Sequence, residues 1–66
     1  MKNPKIQAIV REDLAKATKA TFPFICQQVK SREGKKKMEN RLYEMVSAQG
    51  IQPFQAMQAI ESDFAN

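Results

Sequence analysis

Sixty-six residues make one domain at most, spanning residues 1–66, and a core that small leaves a lone monomer only marginally stable. The net charge is +4 and 42% of the residues are hydrophobic, enough apolar material for one modest core and too much for a disordered chain. His and Trp do not occur and Cys26 is the only cysteine, which excludes His-based acid–base chemistry, His-ligated metal and an internal disulfide.

Taken in chain order, the first helix is expected to start at Asn3-Pro4. Asn is a favoured N-cap, and proline suits the first turn because the N–H it lacks would have no partner there. Ile6, Ile9, Val10, Leu14 and Ala17 recur at three- and four-residue spacing and share one face. The helix is expected to run to about Thr21, because Pro23 restricts Phe22 to extended geometry. Pro23 then opens a shorter segment whose apolar residues are Phe24, Ile25 and Val29. Ser31 or Gly34 can interrupt it, giving a break between Lys30 and Gly34. The alternative is one bent helix from Pro23 to Gln49, since a single internal glycine costs only about 1 kcal/mol.

In the main helix Met38, Leu42, Met45, Val46 and Gln49 align, and Gly50 supplies a left-handed stop. A last helix follows with Pro53 in its first turn and Met57, Ile60 and Phe64 as its buried stripe, with Ala56 beside it. Ile51 is the expected hydrophobic plug of the turn. The fold class is therefore all-α: a small bundle of three to four helices with a helix-turn-helix-like C-terminal hairpin.

Charge is unevenly spread. All the basic residues lie at or before Arg41, whereas Leu42 to Asn66 holds three acids and no base. The densest basic segment, Lys30, Arg32, Lys35, Lys36, Lys37 and Arg41, forms a ridge suited to phosphate groups or an acidic partner. The bland reading is a solvated helix face, with Glu33–Lys37 and Arg41–Glu44 as ordinary pairs within the helix. Tyr43 is the one aromatic near the ridge that could stack on a base.

The segment Val46–Ile51 resembles the turn of a helix-turn-helix motif, with glycine after a helix and an apolar residue after glycine. Gln49 stands where that motif usually has an apolar residue. The following helix carries Gln52, Gln55 and Gln58 but no Lys or Arg, an uncommon composition for a helix that enters the major groove.

Two further residues stand out. Asp13 falls on the apolar stripe of the first helix, where an unpaired carboxylate is costly, so it is either a rim residue with a basic neighbour or a polar contact for a partner. Phe54 lies about a quarter turn off the Met57–Ile60–Phe64 stripe. It either covers the end of the core beside Ile51 or serves as an exposed aromatic anchor for a partner. Cys26 reads as a small apolar filler; a place in the first turn of a helix would instead favour its thiolate.

No stretch is long enough to span a membrane, and Met1 to Pro4 lacks the apolar run of a signal peptide, so the expected compartment is the cytoplasm. No Gly-rich phosphate loop, carboxylate cluster with metal-ligand spacing or nucleophile–base pair is present, so neither an enzyme nor a cofactor is expected. The sequence points to a non-catalytic protein-interaction or regulatory module with an unidentified protein partner. A small nucleic-acid-binding protein that uses the basic ridge with little sequence specificity is the alternative. A homodimer sharing its core is one way to bury more area.

Overall fold

In the computed structural model, residues 3–65 are described; Met1 and Lys2 of the N-terminal stretch, and Asn66, lie outside them. The first helix begins where the Asn-Pro pair places it. Asn3 is extended, its Oδ1 accepts the Lys5 N–H at 2.9 Å, and Pro4 occupies the first turn. The Asn3 N–H donates to the Tyr43 hydroxyl, forty residues away, which ties this end to the main helix.

This helix, α1 (Pro4–Ala15), ends well before Thr21. The reason is local hydrogen-bonding chemistry. Thr18 and Thr21 each accept the other's backbone N–H through Oγ1 at 3.3 Å, and the Phe22 N–H donates to the Thr18 carbonyl at 2.8 Å. Hydroxyl side chains that bond the backbone of a neighbouring residue offer the chain a turn in place of another helical turn. Ala17 still packs against the core, but from the turn.

The short helix α2 (Pro23–Gln28) follows. Its N-cap residue, Phe22, has no side-chain oxygen to offer the free N–H groups. Glu61, far along the chain, does so instead: its carboxylate accepts the Phe24 N–H at 3.0 Å and the Ile25 N–H at 3.1 Å. An ionised carboxylate at a helix start satisfies donors and also meets the positive end of the helix dipole.

The chain breaks at Val29–Ser31, not within the next helix, and so the bent continuous helix is not formed. Ser31 is extended and its Oγ accepts the Gly34 N–H at 3.0 Å, capping α3 (Arg32–Gln49). Gly34 lies inside α3 and is buried. A Cβ there would sit 2.0 Å from the Gln28 carbonyl oxygen, so the glycine lets the start of α3 press against the end of α2. At the far end Gly50 adopts φ 66°, and the Gly50 and Ile51 N–H groups turn back to the Met45 carbonyl. Ile51 packs against the core, and Pro53 opens α4 (Pro53–Ala65).

Helices α3 and α4 pack on each other, and both α1 and α2 rest on this pair. Among the described residues the elements form a small four-helix, all-α bundle. Val10, Leu14, Phe22, Ile25, Met38, Leu42, Ala56, Met57 and Ile60 are buried together, and no polar or charged residue joins them among those described. Burying a Leu- or Ile-sized side chain contributes about 1.5–3 kcal/mol, so these residues hold the helices together.

Gln49, which aligns with the buried stripe of α3, is exposed. Two apolar residues expected on buried faces also lie outside the core. Ile9 is 48% exposed although it shares the apolar spacing of α1. Phe64 is 38% exposed and stacks on Phe24, itself 41% exposed, with ring centroids 6.2 Å apart. The α4 stripe runs past the end of the core, where only the start of α2 remains to meet it.

Candidate functional site

The aromatic face arises from the way α2 crosses α4. Glu61 holds the first turn of α2 over the middle of α4. That places Phe22 toward the start of α4 and Phe24 toward its end. The Phe22 ring meets Phe54 edge-on, with centroids 5.4 Å apart and planes inclined by 67°. Phe22 is buried, while Phe54 remains 55% exposed. Thus Phe54 neither enters the core nor stands alone: it is braced by a buried ring and remains more than half exposed. Such edge-to-face pairs contribute about 0.5–1.5 kcal/mol beyond their area and fix the ring's orientation.

Asp13 comes to the same place. It is half-buried and, with Lys16, Thr21, Phe22, Phe54 and Met57, lines one groove between α1 and α4. Phe22 and Phe54 also line a second, more open hollow that continues along α4 past Gln58 and Glu61. Asp13 makes no ion pair among the described residues; Lys16 pairs instead with Glu12 at 3.5 Å. The Asp13 side chain therefore stands beside an apolar floor, in a groove that Lys16 also lines.

The basic ridge is placed differently. Lys30 lies in the turn before α3, and Arg32, Lys35, Lys36 and Lys37 project from its first two turns, all exposed. At about 100° per residue, with Gly34, Met38 and Leu42 marking the inner side, the cations fall on two flanks. Arg32, Lys35 and Lys36 lie toward α1. Lys37 and Arg41 lie toward α4, where Arg41 donates to Asp63 at 2.8 Å. The pairs Glu33–Lys37 and Arg41–Glu44 do not form among the described residues: Arg41 reaches across to the neighbouring helix, which draws one basic residue of the ridge onto the acidic C-terminal segment. Tyr43 is half-buried, and its hydroxyl holds the start of α1.

On the α1 side, Gln7 and Arg11 face Lys36, Glu39, Asn40 and Tyr43 across a polar groove. Arg11 lies 3.7 Å from the Glu39 carboxylate. Arg11 joins the basic ridge only through the packing of α1 on α3; its i+4 spacing from Gln7 marks a flank of α1 distinct from the apolar stripe.

Cys26 is half-buried with a free thiol. No group of His, Cys, Asp or Glu side chains among the described residues could hold a metal ion, and no helix is long and apolar enough to cross a membrane. No family model matches the chain, and no curated protein or solved structure is significantly similar to it.

Proposed function

We propose that this protein is a non-catalytic interaction module. It binds a protein segment that presents a bulky apolar side chain next to a cation, in the groove between α1 and α4. One observation carries the reading: Phe54 and Asp13, which the sequence marks for separate reasons, line the same groove against Phe22. An exposed ring braced by a buried one is a preorganised anchor, because little side-chain freedom remains to be lost on binding. A carboxylate at the rim selects the sign of the neighbouring charge and penalises an acidic neighbour. The absence of Lys and Arg from Leu42 onward keeps α4 free of cations that would repel such a partner.

The test is selection of peptides from a random library on the immobilised protein. The expected consensus is a large apolar residue adjacent to Lys or Arg, with binding lost in Phe54→Ala. A consensus rich in Asp and Glu would overturn the reading. So would a protein that takes no peptide and is a dimer whose dissociation follows Phe54→Ala, since the groove would then hold a second copy.

A further inference from the structure

We propose that the flank shared by α1 and α3 binds the phosphate backbone of a nucleic-acid duplex, through Arg11, Arg32, Lys35 and Lys36. This surface is separate from the aromatic groove. Around α1, Gln7 and Arg11 lie on one side of the buried Val10–Leu14 stripe, and Asp13 and Lys16 on the other. The two proposals therefore stand or fall independently.

The placement follows from the fold. Asn3 meets Tyr43 and Arg11 meets Glu39, so α1 and α3 run antiparallel, with the end of α1 beside the start of α3. Lys36 and Arg11 line the groove between them. Arg32 stands one turn before Lys36 on the same face, and Lys35, three residues after Arg32, is its neighbour on the inner edge of that face. Arg32, Lys35 and Lys36 are exposed and make no ion pair among the described residues. The acid within the groove, Glu39, is held by Arg11. Three cations without an ion pair among the described residues thus share a flank with Arg11, which is paired with Glu39, whereas the α4 flank offers Lys37 and an Arg41 engaged by Asp63.

The surroundings select the kind of polyanion. Binding to an anionic membrane surface needs apolar side chains among the cations, to enter the acyl boundary. Here the cations are interleaved with Gln7 and Asn40, and the exposed phenylalanines Phe24, Phe54 and Phe64 belong to the α2–α4 side. A polar, cation-lined flank fits a hydrated phosphate backbone. With neither a cation on α4 nor an exposed aromatic on this flank for stacking, base reading is not expected, and affinity comes from phosphates.

The experiment measures binding of the whole protein to a labelled duplex two helical turns long, by fluorescence anisotropy across a salt series. Three phosphate contacts make the association constant fall about 40-fold between about 50 and 200 mM salt, and a fourth, from Arg11, about 150-fold. Lys36→Gln is expected to weaken binding about fivefold, and Arg32→Gln/Lys35→Gln/Lys36→Gln together about a hundredfold. Lys37→Gln, which removes the same charge from the other flank, is expected to change it less than twofold. Circular dichroism confirms that each exposed-site variant is folded. No binding at low salt overturns the proposal. So does equal weakening by Lys36→Gln and Lys37→Gln, which would reduce the effect to net charge. Tighter binding to phosphatidylserine vesicles, or to a poly-glutamate chain, than to the duplex overturns the assignment of the ligand.

Discussion

Replacing Gly34 by alanine sets two physical effects against each other. In a solvated helix, Gly→Ala is favourable by about 1 kcal/mol, because alanine loses less backbone freedom. Here the added Cβ meets backbone: 2.0 Å from the Gln28 carbonyl oxygen, and 2.9 Å from both its carbon and the Ser31 Oγ. No rotamer change relieves contact with a carbonyl, so α3 must withdraw from α2. Overpacking of this kind costs about 1–3 kcal/mol. The withdrawal also stretches the Gly34 N–H to Ser31 Oγ bond, a cap contributing about 1 kcal/mol. The net expectation is a loss of about 2 kcal/mol, which lowers Tm by about 8–16 °C in a domain of this size. Thermal unfolding followed by circular dichroism reads it. Gly50→Ala is the comparator, since a Cβ there meets nothing within 4 Å and the cost is confined to φ 66°; it is expected to lose about 1 kcal/mol. A Gly34→Ala protein as stable as the parent, or more so, would refute the close approach of α2 and α3.

Glu61→Ala removes both acceptors at the start of α2 and is expected to cost about 1–2 kcal/mol. Amide exchange should quicken first at Phe24 and Ile25, and uniform quickening across the bundle would contradict the capping role. Ile60→Ala is expected to cost about 2–5 kcal/mol as a core truncation, against less than about 1.5 kcal/mol for Phe64→Ala, whose ring is partly solvated and stacked only on Phe24. Urea unfolding orders the two, and equal losses would return Phe64 to the core. A double-mutant cycle on Arg41 and Asp63 is expected to give a coupling below about 1 kcal/mol that shrinks with added salt, because both side chains are well exposed. A larger, salt-insensitive coupling would mean the pair is shielded from water.

What the sequence made legible was what local chemistry decides. Asn3-Pro4, Gly50 and Pro53 each fix a helix boundary through groups within a few residues of themselves, and the three- and four-residue spacing of Val10, Leu14, Met38, Leu42, Met57 and Ile60 marks their buried faces. The end of α1 is also local, but it is set by the paired hydroxyls of Thr18 and Thr21 and not by Pro23. Other features depend on distant partners. Nothing near Gly34 announces that Gln28 folds back onto it, and nothing near Phe22 announces that its helix is capped from Glu61. For the same reason the spacing of Arg41 and Glu44 does not reveal that Arg41 reaches Asp63. Within the candidate site, Asp13 stood out by its polarity on an apolar stripe and Phe54 by its angle to one. That they share a groove follows only from the packing of α1 on α4.

The most direct test of the proposed interaction is the affinity of one peptide, carrying a phenylalanine beside a lysine, for the parent protein, Phe54→Ala and Asp13→Asn. The account expects Phe54→Ala to abolish binding while the fold is kept, since the ring is mostly outside the core. It expects Asp13→Asn to weaken the lysine peptide and to leave a version with glutamine in its place unchanged. Unchanged affinity in Phe54→Ala, or equal effects of Asp13→Asn on both peptides, would contradict it.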